Sequence, residues 1–209
     1  MFTLSNICSE RAFTLIRHLG RHPRDTFYVR ELSRELGLPL GPVSETLVEL
    51  AGAGIIRRRE RGRIVTYQAR ESSPLLREMK ILITLFECSS LLSDLEAVSS
   101  TIILFGSCAD GTDTAESEIG LCIRTDDAGV AEECIRAHTP VGGRDVAAMI
   151  LTDDAFRRLS EREQAVYQQI IAGNVLYQRE GGQAGRLKAD QFQKPRHSSH
   201  VWTDDSYEA

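Results

Sequence analysis

A carboxylate, Glu118, stands eleven residues after a Gly106-Ser107 pair that closes the apolar run Thr101-Ile102-Ile103-Leu104-Phe105. Glycine lets a backbone approach a ligand closely, because no side chain intervenes. A strand, a Gly-Ser turn, a polar loop and a second strand with an acidic start form the skeleton of a phosphate-and-metal site. Glu116 falls on the same strand face as Glu118, roughly 7 Å further back at about 3.4 Å per residue. Asp145 opens another apolar run, DVAAMIL. A second cluster lies earlier in the chain, where Arg57, Arg58, Arg59, Arg61 and Arg63 fall within seven residues. Their guanidinium forks suit phosphate or a narrow minor groove. Arg30 and Arg34, one helical turn apart, could add contacts to a nucleic-acid backbone.

The elements that must position these groups follow from periodicity and punctuation. Ala12, Phe13, Leu15, Ile16 and Leu19 predict a first helix ending near Gly20 and Pro23. A short apolar entry, Phe27-Tyr28-Val29, leads into a second helix from about Val29 to Leu36, stopped by Gly37. A third helix runs from about Leu40 to Ala53, with Val43, Leu47 and Leu50 repeating every three or four residues. The arginine run and Ile64-Val65-Thr66-Tyr67 form the two arms of a β-hairpin whose turn contains Gly62. Ser73-Pro74 then opens a long helix with an unusually apolar stripe from Leu75 to Leu95. Beyond it the order β, β, α, β, α, α, β over residues 101–180 predicts a small α+β unit with a mixed sheet. Thr152 caps one helix there, and Ser160-Glu161-Arg162-Glu163 reads as a capping box for the next.

The segments FYVRELSRELGL, VSETLVELAGAGII and RRRERGRIVTYQA together resemble a winged helix-turn-helix domain of bacterial and archaeal transcription regulators. The resemblance implies double-stranded DNA as partner, with Arg30, Arg34, Ser44, Glu45, Thr46, Arg57, Arg58, Arg59, Arg61 and Arg63 as its contacts. The third helix departs from that pattern. No basic residue lies between Pro39 and Ile56, and Ser44, Glu45 and Thr46 are left as base readers, Glu45 accepting from cytosine. The alternative is that helix and hairpin form a protein–protein surface. The stripe of the long helix packs either between the two units or against a second copy, and a two-fold homodimer would match DNA half-sites.

LFGSCADGT followed by ESEIGL resembles the minimal nucleotidyltransferase domain of the DNA polymerase β-like superfamily, and GNVLYQREG is similar to that family's end. The whole chain thus resembles archaeal-type regulators in which residues 1–72 form a winged helix, 73–100 a connecting helix, 101–180 the nucleotidyltransferase-like unit and 181–209 a polar tail. In active members, carboxylates at i and i+2 on one strand and a third on a neighbour hold two Mg²⁺ ions. Gly106, Ser107 and Ser117 are kept as nucleotide-binding positions. Glu118 takes the place of the first carboxylate, Gly120 that of the second, and the third falls at Ala147 or, two residues earlier, at Asp145. The resemblance therefore implies a retained fold with degenerate carboxylates, acting as scaffold or nucleotide sensor. The alternative is a Mg²⁺-dependent transfer of a nucleotide from an NTP to a hydroxyl acceptor.

Bulk properties set limits on both readings. Of 209 residues, 42% are apolar and 26% charged, ordinary for a globular protein. No apolar run approaches the roughly 18–20 residues that span a bilayer, and no signal-peptide order opens the chain, which predicts a cytoplasmic protein with no membrane partner. The net charge of −5 divides unevenly: residues 1–72 carry 12 arginines and no lysine against 8 acids, whereas the remainder carries 13 basic and 22 acidic residues. A basic front and an acidic back suggest different partners for the two parts. Five scattered cysteines without a CxxC pair argue against a disulfide framework or zinc ribbon, and read as small buried hydrophobes. His18 and His22 read as surface residues.

Overall fold

The structure is a computed structural model and describes residues 9–179. The N-terminal unit comprises α1 (Glu10–Arg21), α2 (Val29–Glu35), α3 (Leu40–Gly52), β1 (Ile56–Arg61) and β2 (Ile64–Ala69). Ser9 caps α1 by accepting from the Ala12 amide. Strands β1 and β2 pair antiparallel, and an isolated bridge from Phe27 to Tyr67 adds a third rung. Gly62, at φ +62°, occupies the first central position of the two-residue turn between Arg61 and Ile64, where a type II′ hairpin needs glycine. Leu15, Ile16 and Leu19 meet Leu32, Leu47 and Leu50 in a fully buried core.

α4 (Pro74–Val98) is a single helix of 25 residues, opened by Ser73 at its cap and Pro at its first turn. It spans about 37 Å at 1.5 Å per residue. Its buried positions, Leu76, Lys80, Ile83, Thr84, Cys88, Leu91 and Leu95, form one stripe. The first half of that stripe joins the N-terminal core through Leu76 and Ile83; the second half joins a separate core through Cys88, Leu91 and Leu95. The stripe is therefore satisfied largely within one chain, while Leu75, Leu82 and Phe86 stay exposed on the other side.

The following unit contains β3 (Thr101–Phe105), the short α5 (Ser107–Asp110), β4 (Ile119–Arg124), α6 (Ala128–His138), β5 (Val146–Leu151), α7 (Asp153–Arg162), α8 (Gln164–Ile171) and β6 (Asn174–Gln178). The sheet order is β5-β4-β3-β6, with β4 and β5 parallel and the other pairs antiparallel. α4 and α6 cover one face; α7 and α8 cover the other around Ile103, Cys122 and Phe156. The fold is thus α+β, a helical unit followed by a mixed sheet with helices. Two local expectations are corrected. Ser160 opens no capping box: α7 runs on to Arg162, the Ser160 hydroxyl donates to the Arg157 carbonyl, and the next helix starts at Glu163 without a side-chain cap. His18 is half-buried rather than a surface residue, packing against the His22 and Phe27 rings at 4.8 and 5.0 Å. The tail lies outside the described residues, as does Cys8. Cys88, Cys108 and Cys122 are buried, and burial pushes the Cys122 thiol up to about 12. Among the described residues no helix is long and apolar enough to cross a membrane.

Leu91 is 1% exposed at the centre of the second core. Truncation to Ala removes apolar contact and leaves a cavity, at a cost of about 2–5 kcal/mol. A urea titration of Leu91→Ala should show that loss as a lowered midpoint with an unchanged slope.

Candidate functional site

Four of the five arginines lie on β1, where every residue from Arg57 to Arg61 is exposed, and Arg63 stands exposed in the hairpin turn. Strand alternation sends Arg57, Arg59 and Arg61 to one side and Arg58 and Glu60 to the other. Arg58 bonds Glu60 at 2.8 Å, and that bond holds its guanidinium above the ordinary arginine range, with Tyr67 adding to the effect. Arg58 is therefore partly neutralised, and Arg57, Arg59, Arg61 and Arg63 carry the charge of the hairpin. Across from it, Arg30 and Arg34 project from the exposed side of α2. A groove of about 530 Å³ between α2 and the hairpin brings Arg30, Arg34 and Arg63 together beside Tyr28 and Ile64. Residues 30 and 63, far apart in sequence, thus belong to one cationic surface.

α3 presents Leu40, Gly41, Glu45 and Val48 outward, with Ser44 half-buried. Thr46 is corrected as a base reader: it is 5% exposed, and its hydroxyl donates to the Pro42 carbonyl at 2.9 Å. Helical phase puts position 46 on the core side with Val43 and Leu50, whatever its chemistry.

Residues 10–60 match the family described as the IclR helix-turn-helix domain. The N-terminal unit is an IclR-type DNA-binding domain. The match spans 51 of the 209 residues and ends within β1. Reduced HlyU from Vibrio cholerae N16961 is similar at 26% identity, over 41% of this chain and 84% of that chain, with a TM-score of 0.33. No curated protein matches. The matched residues cover α1–α3 and most of β1, so the family match reaches into the arginine hairpin.

In the sheet unit, the carboxylate positions lie where parallel β4 and β5 begin. The Ile119 amide donates to the Asp145 carbonyl at 2.9 Å, which sets Glu118 and Asp145 side by side, both exposed. Two residues further along the strands, Phe105, Gly120 and Ala147 form a row across β3, β4 and β5. A Cβ at Gly120 would fall 2.9 Å from the Phe105 carbonyl oxygen and 3.4 Å from its ring. A side chain at position 120 would thus press on that carbonyl oxygen with the ring in van der Waals contact, and Ala147 carries no ligating group on the far side. Glu118 and Asp145 are neighbours, but no cluster of three His, Cys, Asp or Glu able to hold a metal exists among the described residues. These residues do not fit a two-metal centre. Gly106 adopts φ +74° with open space where a side chain would stand, and Ser107 starts α5. The Ser117 hydroxyl accepts from the Thr114 amide at 2.9 Å, closing a turn rather than facing a ligand.

The sequence reading missed a buried ionic junction between the helical unit, α4 and the sheet unit. Glu87 meets Arg21 at 2.5 Å and Arg144 at 3.1 Å, while Asp113 meets Arg144 at 2.8 Å and Lys80 at 3.3 Å. Desolvation lowers the Lys80 pKa, with Asp113 opposing the shift. The available signal was Lys80, Thr84 and Glu87 sitting within an otherwise apolar helical stripe.

His18 supplies a pH dependence. Burial and the neighbouring His22 lower its pKa, outweighing Glu35 at 3.4 Å. The unfolded chain thus binds this proton more readily, so the stabilising contribution is complete above about pH 6.5 and is lost progressively as pH falls below that value. Thermal melts between pH 7.5 and 5 should show declining stability, and His18→Gln should flatten the decline.

Proposed function

We propose that the chain is a homodimeric transcription regulator that grips duplex DNA through the arginine hairpin and α2. Its C-terminal unit would be a nucleotidyltransferase-like domain that has lost transferase chemistry and serves as a scaffold. The observation carrying the DNA reading is the joint exposure of Arg57, Arg59, Arg61 and Arg63 beside a groove shared with Arg30 and Arg34. Such contacts neutralise phosphates and release counterions. α3 would read bases through Ser44 and Glu45, with Leu40 and Val48 available for thymine methyls. Without a cation on that helix, affinity rests mainly on backbone contacts, and discrimination between sequences is modest.

The division into residues 1–72, 73–100, 101–180 and 181–209 is part of this reading; shared use of α4 by both cores supports treating it as the connector. Phe105 packed over Gly120 supports the scaffold role against nucleotidyl transfer with Mg²⁺. A nucleotide-sensing role has the open space over Gly106 in its favour. A cytoplasmic location accompanies the regulator role. Leu75 and Leu82, 49% and 41% exposed on α4, are the surface a second copy would cover, and a two-fold pair would match DNA half-sites.

Fluorescence anisotropy with a labelled duplex at increasing salt tests the DNA reading. Each neutralised phosphate contributes a slope of roughly −0.9 in log K against log salt. Replacing Arg57, Arg59, Arg61 and Arg63 by Ala should reduce the slope by roughly 4 per protomer; an unchanged slope would count against the hairpin. Light scattering should show wild type as a dimer and Leu82→Lys as a monomer of weaker duplex affinity. A monomeric wild type would remove the dimer from the account.

A further inference from the structure

A groove of about 390 Å³ runs between α1 and α4 and shares no lining residue with the arginine groove. Glu10, Phe13, Thr14 and Arg17 line it from α1, at the spacing of one helix face; Ile83, Phe86 and Glu87 line it from α4. Phe13, Ile83 and Phe86 form its apolar part, beside Thr14 and the charged Glu10, Arg17 and Glu87. Phe13 is half-buried, Ile83 is buried, and Phe86 is 68% exposed, the highest among the large hydrophobic side chains described.

One end of the groove is charged. Arg17 reaches Glu87 at 3.6 Å, alongside the closer Arg21 and Arg144. Arg17, Arg21, Lys80 and Arg144 thus share two carboxylates, Glu87 and Asp113. The surplus positive charge reaches the groove through Arg17, which has the longest of these contacts and a side chain 46% exposed. Glu10 lies two turns away, about 10 Å along the helix axis, and repels an anion from that end.

We propose that this groove binds a small amphipathic carboxylate as an effector of the DNA-binding unit. The aromatic or aliphatic body lies between Phe13, Ile83 and Phe86, and the carboxylate pairs with Arg17. Apolar side chains with a few placed polar groups are the usual make-up of a small-ligand site, and of the charged lining residues Arg17 alone is cationic. Engaging Arg17 withdraws one guanidinium from Glu87, whose other partners hold α1 against the sheet unit, so occupancy is linked to the placement of the helix-turn-helix. The effector role rests on the regulator reading; binding itself does not.

Calorimetric titration of the full chain with phenylacetate, indole-3-acetate and octanoate, each beside its neutral amide, provides the test. The acids should bind at least tenfold tighter than their amides. Arg17→Gln should erase that ratio, and Phe86→Ser should weaken acid and amide alike, with melts confirming that both variants fold. Absence of binding, or an acid-to-amide ratio near one, overturns the site. Binding seen only after deletion of residues 1–8, or only in Leu82→Lys, also overturns it, because the chain or a second copy would then fill the groove. The tightest-binding acid should shift the duplex Kd at least threefold; no shift overturns the effector role. Failure of the ligand-free chain to bind any duplex would instead refute the regulator reading, while the calorimetry still decides the site.

Discussion

Glu87 holds guanidinium groups drawn from two separately packed parts of the chain, Arg17 and Arg21 on the first helix and Arg144 just ahead of β5. A carboxylate at 12% exposure is tolerable only when paired, since an isolated buried charge is costly. Breaking such a pair from one side typically costs about 3–5 kcal/mol. The junction therefore fixes how the helix-turn-helix sits on the sheet. Two loops press closely on the same helix. A Cβ at Gly142 would stand 2.4 Å from the Glu87 carboxyl carbon, and one at Gly111 would stand 2.3 Å from the Arg77 carbonyl oxygen. Glycine at both places lets the sheet unit close onto α4, and the Ala115 amide, donating to the Arg21 carbonyl at 3.0 Å, completes the seam.

Fixed placement matters because the two units divide the work unequally. The N-terminal unit carries an excess of arginine, and most of it is exposed. The sheet unit spends its buried cations on structure: Arg124 bonds Asp153 at 2.6 Å and lies 5.0 Å from the Phe156 ring centroid. At the row Phe105, Gly120 and Ala147 the sheet presents an aromatic ring and no carboxylate. A sheet without a metal-binding row can still hold α4 and the loops that grip it. In the proposed account its value is geometric, because it gives the hairpin and α2 a rigid frame from which to meet DNA phosphates.

Local signals in the sequence carried much of this. Apolar spacing located α1, α3 and α4; Gly62 marked the hairpin turn; and Ser73-Pro74 and Thr152 marked helix starts, each because the cue and its effect lie within a few residues. Failures came where a distant contact decided the outcome. Ser160 has the residue type of a cap, but its hydroxyl donates back to the Arg157 carbonyl inside a helix that runs on to Arg162. Thr46 is polar, yet helical phase buries it. The Phe105 ring over Gly120 depends on strand register, and the junction joins positions 21, 80, 87, 113 and 144, which no short window contains. The candidate site was legible as a set of arginines on separate elements, but their assembly around one groove needed the fold.

Hydrogen–deuterium exchange of the full chain, with and without a saturating duplex at low salt, tests the central claim most directly. The account predicts slowed exchange at the start of α2 and along the β1–β2 hairpin, with the sheet unit unchanged. Protection confined to the sheet unit, or no protection anywhere despite saturating duplex, would contradict it.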